Sequence, residues 1–461
     1  MLDILSLSGT RQAGLIREGS ISAVELITAH LDRVEAVNPA LNAAVEILRD
    51  SALEAARLVD KTKPAGPLAG VPFSIKDSIE VQGTVCSAGT LGYRNNPPSK
   101  RDATLVGRLR AAGGIPVART NLPDVLFAFE SDNLIFGRTN NPYNPTRTSG
   151  GSSGGEAALI AACGSPFGLG SDAAGSVRLP AHYCGIATIK PTSGRLARTG
   201  HVPPSGGWIE TLWQIGPMAR HVDDLWTMMP ILLGSDGEDR TVVPMPFVAR
   251  SEDTLRGLRV AYFTDNGILA ADADTAATVR KAASSLQAAV KSVSECRPSQ
   301  IERSYDLEME MLGIDGGDGL RAFLTSIGSH QTHPLLEGWL SKLDRHRTDI
   351  AGFANYWARL DEFRAAMYGF LNDFDVLLSP VSFSPAVPHG TSTNDKIFPG
   401  FSYTMTHNLT GWPAAVVRCG TSHDGLPIGV QIAAAPWRED IALTVAEYLE
   451  STCGGWLAPP L

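Results

Sequence analysis

Three stretches of the sequence predict an α/β fold, with a parallel or mixed sheet covered by helices. Helix-like residues 103–112 lead through Gly113 and Gly114 into the strand-like Ile115 to Ala118, an αβ unit. Pro67 to Ile75, reading PLAGVPFSI, is a short apolar run punctuated by Gly and Pro, as expected of a buried strand entered from a turn. Near the far end, Ala414 to Cys419 and Ile428 to Ala433 read as strands around a turn at Asp424 and Gly425, with Asp440 to Leu449 as a closing helix. Such units favour one layered sheet, with the last strands joining the first.

The remaining elements follow in order. From Ser22 to about Asp60 apolar residues recur at three and four positions (Val24, Leu26, Ile27, Leu31, Val34, then Val45, Leu48, Leu53, Ala56), which predicts two amphipathic helices. Lys76 ends the 67–75 strand. The glycine-rich turn Gly150 to Gly155 opens onto the small apolar run Ala157 to Cys163, so a helix begins there with Glu156 in its first turn, where a negative charge suits the dipole. Beyond about Pro230 the reading is sparser, with helices expected around Asp274 to Val290 and Phe353 to Leu371. A length of 461 residues admits two or three average domains or one large α/β unit, and no internal repeat or low-complexity linker marks a boundary.

Composition narrows the function. Hydrophobic residues make up 43% and charged residues 19% of the chain, as in an enzyme with a substantial core. A formal charge of −9 disfavours phosphate backbones and anionic lipid heads, so neither nucleic acid nor membrane is expected as a partner. Six scattered cysteines lack CxxC or His groupings at metal spacing, which predicts reduced thiols and no metal or other cofactor. The first twenty residues lack a basic start and a continuous apolar core, and no stretch reaches the length of a bilayer span, so a cytoplasmic enzyme is expected.

Three turns carry chemistry-bearing residues: Ser74-Ile75-Lys76-Asp77, Ser149 to Gly155 (SGGSSGG), and Gly170 to Arg178 (GSDAAGSVR). Each has a plain alternative. The Gly/Ser run also reads as a linker, or as a phosphate loop, although Glu156 stands where that loop needs Lys. Gly151 to Gly155 matches the elbow G-x-S-x-G with Ser153 at its centre, which would need a downstream histidine such as His389, His407 or His423. Lys76 alone reads as a solvated charge.

Together and in this order, the three turns resemble the amidase signature family, whose members carry a GGSSGG run and a D-x-G-G-S-[IV]-R-x-P segment; Ser176 lies at the family's 24-residue spacing from Ser152. The resemblance extends from the N-terminal helices to the segment HNLTGWPAAVVRCGTSHDGLPIGVQI. It implies one α/β/α domain over residues 1–461, built on a mixed, mainly parallel twisted sheet, with a signature core at about 68–200 and a variable pocket region at about 230–399. It also implies that Ser176 is the nucleophile, Ser152 a serine on a cis peptide bond that relays a proton, and Lys76 the base. Serine must lose a proton as it attacks, and lysine accepts one only when burial or neighbours lower its pKa.

Backbone N–H groups of Ala173, Ala174, Gly175 and Ser176 are the implied oxyanion donors; Ala174 departs from the family's usual glycine. Asp172 and Arg178 are expected to brace the loop together with Ser153, with a direct substrate role for Arg178 as the alternative. His182, six positions after Ser176, reads as structural, although a Ser/His pair is its rival. Phe127, Phe129 and Ser131 fall where the family places part of the acyl-binding wall, although the phenylalanines read equally well as core. Trp339, Tyr356, Trp357 and Tyr368 are expected to supply the rest of the pocket.

The expected activity is cleavage of an amide, with anilide, carbamate (urethane) or ester substrates within the same chemistry. The partners are then a small-molecule substrate and water, and a homodimer stays open. The alternatives are the glutamine-hydrolysing component of an amidotransferase and a non-catalytic binding protein on the same fold.

Overall fold

The computed structural model describes residues 2–63, 66–204, 206–251 and 253–461, with the side chains of residues 2 and 3 left out. Its centre is one sheet of eleven strands: β1 Ala44–Ile47, β2 Pro72–Lys76, β3 Ile115–Thr120, β4 Phe167–Asp172, β5 Ala187–Lys190, β6 Gln214–Ala219, β7 Arg259–Tyr262, β8 Ser292–Glu295, β9 Val376–Pro380, β10 Ala414–Thr421 and β11 Pro427–Ala434. They lie in the order β1-β3-β2-β4-β6-β5-β10-β11-β9-β7-β8, so strands from both ends of the chain share one sheet.

The sheet is mixed, but the expected parallel majority is corrected. Parallel pairing is confined to β3-β2-β4 and β9-β7-β8, and the other six ladders are antiparallel. One cause is local: β10 and β11 form a hairpin whose turn contains Gly425 at φ +80°, and a hairpin can only pair antiparallel.

Strand alternation puts helices on both faces. Ala415, Val417 and Cys419 of β10 enter a core shared with helices Val222–Leu232 and Glu439–Cys453, whereas Val416 enters a second core with helices Gly154–Ala161 and Arg178–Cys184. The expected C-terminal helices occur as Ala273–Leu286 and Ile350–Phe370.

The helical reading of residues 22–60 is corrected in one place. Helices Ala23–Leu41 and Arg49–Thr62 flank the short strand β1, which contains Val45. Asn42 closes the first helix in the left-handed region at φ 50°, and β1 then pairs with β3, a long-range contact that local periodicity does not encode.

Candidate active site

The parallel trio β3-β2-β4 ends at one edge of the sheet, where α/β folds place their ligands. In β2, Phe73 and Ile75 point into the larger core, which leaves Ser74 and Lys76 on the face covered by helix Gly154–Ala161. Lys76 is fully buried. Its Nζ donates to Ser152 Oγ at 2.6 Å and to Ser171 Oγ at 3.1 Å. Burial holds the Lys76 amine well below its ordinary value, against the opposing influence of Asp172 and Glu156. An amine kept neutral in this way can accept a proton.

The Gly151–Ser152 peptide bond is cis. Gly151 passes so close to the 128–130 segment that a Cβ there would stand 2.6 Å from the Glu130 nitrogen. Ser176 lines the same cavity as Ser152 and Ser171, and its carbonyl accepts from the Ser153 N–H at 3.1 Å. Among the described residues the Ser176 hydroxyl makes no side-chain hydrogen bond, so the Lys76–Ser152 link is the one that is already formed.

The loop from Asp172 to Arg178 is built around a fully buried ion pair. Arg178 Nη2 and Nε meet Asp172 Oδ1 and Oδ2 at 2.8 and 3.0 Å, while Nη1 reaches the Thr404 carbonyl at 2.7 Å and Gln431 Oε1 at 2.8 Å. Asn408 Nδ2 donates to Asp172 Oδ1 at 2.9 Å. Burial alone would raise the Asp172 carboxyl, but Arg178 and these hydrogen bonds hold it well below the usual carboxylate range. With its donors spent inside the protein, Arg178 has no free group for a substrate.

Asp172 also takes the backbone. Its Oδ1 accepts from the Gly175 N–H at 2.9 Å and its Oδ2 from Val177 at 3.1 Å. Of the four N–H groups expected as oxyanion donors, that of Gly175 is committed to Asp172. Gly175 has φ +121°, and a Cβ there would overlap Thr404 Oγ1, so glycine is required.

Ser153 is fully buried and its hydroxyl contacts the backbone of Ser171 at 3.3 to 3.4 Å. The elbow reading fails here, because His389 turns to the Pro145 carbonyl, His407 packs beside Trp412 and His423 pairs with Asp274 at the surface. His182 is structural: Nδ1 accepts from the Gly429 N–H at 2.7 Å, Nε2 lies 3.1 Å from the Ser384 carbonyl, and burial lowers its pKa to about 4.

Phe127, Phe129 and Trp339 line an apolar cavity beside Ser176. Ser131 does not, and its expected substrate role is corrected. Its hydroxyl donates to the Gly150 carbonyl at 3.0 Å and accepts from the Gly154 N–H at 2.9 Å, bracing the Gly/Ser turn. Of the other aromatic candidates, Tyr356 is buried in a separate apolar cluster with Trp357 packed against it, and Tyr368 stands edge-on to Trp412. Sequence reasoning missed Ile209, Leu212 and Trp213, which form much of the remaining wall, and Ser171 beside Lys76.

The family model "Amidase" matches residues 25–443. The chain belongs to the amidase signature family. Among amidase relatives, fatty-acid amide hydrolase 2 of Homo sapiens is 30% identical over 99% of this chain and 91% of that protein. Indoleacetamide hydrolase of Bradyrhizobium diazoefficiens is 33% identical over 97% of this chain and 86% of that protein. The solved structure of 6-aminohexanoate cyclic dimer hydrolase complexed with substrate superposes with a TM-score of 0.87 at 29% identity, covering 97% of each chain. Among the described residues of this amidase, no helix is long and apolar enough to cross a membrane.

Proposed function

We propose that the protein hydrolyses amides with an uncharged, largely apolar group beside the scissile bond, through a covalent acyl-Ser176 intermediate. The observation that carries this reading is a buried lysine hydrogen-bonded to Ser152, which together with Ser176 lines an apolar cavity. Ser176 Oγ attacks the carbonyl carbon and passes its proton to Ser152 as Ser152 passes its own to neutral Lys76. The oxyanion that forms accepts hydrogen bonds from the N–H groups of Ala173, Ala174 and Ser176. As the intermediate collapses, the C–N bond breaks and the proton returns through Ser152 to the departing amine. Water then attacks the acyl group by the same relay, releasing the acid and restoring Ser176. Carbamates and esters present the same acyl carbon and are further candidate substrates.

The cavity also supports a stand-alone amidase over the glutamine-hydrolysing component of an amidotransferase. Among the described residues no charged side chain lines it. A glutamine zwitterion would bring an ammonium and a carboxylate against Phe129, Leu212 and Trp339 without counter-charges, and an unpaired buried charge is costly.

A panel of nitroanilides, aliphatic amides, carbamates, esters and glutamine tests the proposal. Turnover of an aryl amide by the isolated chain is expected, with Ser176→Ala abolishing both turnover and fluorophosphonate labelling. Lys76→Ala is expected to lower kcat/KM by about 10²- to 10⁴-fold. Activity on glutamine alone, and only with added partner chains, would overturn the substrate reading. A Lys76→Ala variant of normal rate would overturn the mechanism.

A further inference from the structure

Ser74 and Lys76 project from the same face of β2, and Thr120 of β3 stands in register beside Lys76. Helix Gly154–Ala161 lies over this face and buries Glu156 completely. The Glu156 carboxylate accepts from Ser74 Oγ at one oxygen and from Thr120 Oγ1, at 2.6 Å, at the other. Ser74 Oγ in turn meets Ser165 Oγ at 2.7 Å. Gly168 of β4, in register with Ser74, is bare where a Cβ would overlap Glu156 Oε1 and stand 2.8 Å from Ser74 Oγ. The sheet leaves room for a carboxylate and supplies a hydroxyl to each of its oxygens.

We infer that Glu156 is a positioning residue of the site: its buried carboxylate, fixed by Ser74 and Thr120, is the counter-charge for the Lys76 ammonium that forms as Ser176 attacks. The inference rests on the proposed role of Lys76 as base. The other carboxylates near Lys76 are already paired, Asp172 with Arg178 and Asp77 with Arg119 at 2.6 Å. Among the described residues Glu156 has only hydroxyl partners, so its charge is free to answer a new cation. The remaining titratable groups around it are accounted for. Burial keeps His30 and His201 neutral, with pKa values lowered to about 3, and holds His182 neutral as well. Arg220 is spent on backbone carbonyls, among them that of Ile160 in the same helix, and Glu46 at the edge of the sheet is exposed. Burial raises the Glu156 carboxyl to about 7 while Ser74 and Thr120 oppose the rise, so the group is poised where a nearby cation decides its ionisation.

The test is the pH dependence of Ser176 labelling by a fluorophosphonate, which needs no knowledge of the natural amide. The acid limb of the unmutated protein marks the loss of the Lys76 proton. A carboxylate favours the ammonium, so Glu156→Gln is expected to move that limb to lower pH by about one unit and to slow labelling at pH 8 about tenfold. Ser74→Ala, which loosens the carboxylate without removing it, is expected to give a smaller shift in the same direction and decides the question if Glu156→Gln does not fold. An acid limb that stays in place while labelling slows would reduce Glu156 to a structural role and overturn the inference. No labelling of the unmutated protein would overturn the nucleophile reading itself, and this inference with it.

Discussion

Asp172 holds the loop before Ser176 from several sides. It closes the ion pair with Arg178, receives Asn408 and holds two backbone N–H groups of the loop. Asp172→Asn leaves a buried guanidinium without its counter-charge, for which about 3–5 kcal/mol of stability is expected to be lost. Urea unfolding measures it. The sign of its pH dependence follows from the depressed carboxyl: the stabilisation is complete above an unfolded pKa of about 3.9 and is lost as pH falls towards the folded value. The gap between wild type and Asp172→Asn is therefore expected to stay level above about pH 4 and to narrow below it, and a constant gap throughout would refute the ion pair as its source.

At the scale of elements, the loop before Ser176 depends on Gly175, whose positive φ and contact with Thr404 leave no room for a Cβ. Gly175→Ala is expected to displace the N–H groups of Ala174 and Ser176 and to cost about 10²- to 10³-fold in kcat, the size of effect seen when one oxyanion donor is lost, with little change in KM. The residues that act locally were legible in the sequence. Lys76 stands at the end of an apolar strand, and the Gly/Ser turn opens a helix, because turn chemistry and alternation are local rules. What escaped was set by distant chain. Ser131 sits beside Phe127 and Phe129 in sequence yet turns its hydroxyl to Gly150 and Gly154, since those atoms need partners once the turn is buried. Gly175 reads as one donor among four until Asp172 is seen to accept its hydrogen bond. Strand β1 lies inside a helical period because its partner, β3, comes much later in the chain.

At the scale of the whole molecule, the site is held from the far end of the chain. Gln431 of β11 accepts from Arg178 at 2.8 Å and donates to Ser379 Oγ and the Tyr403 carbonyl, each at 3.0 Å. Gln431→Ala is expected to cost about 1–3 kcal/mol in thermal unfolding, because buried partners lose their hydrogen bonds, and to lower kcat although Gln431 does not line the cavity. Unchanged catalysis in that variant would show that Asp172, Asn408 and the Thr404 carbonyl suffice to fix Arg178.

The same sheet order bears on how the chain is made. On the ribosome, Lys76 and Ser176 emerge early, while β5 and β9 wait with open edges until the 414–434 hairpin is synthesised and slots between them. An unfilled gap of that kind is a template for pairing with other chains. Until the hairpin closes it, Arg178 lacks Gln431, and the loop before Ser176 is held without its support from β11. Translation arrested before residue 434 would thus release an incomplete sheet prone to aggregate, rather than a loose hydrolase.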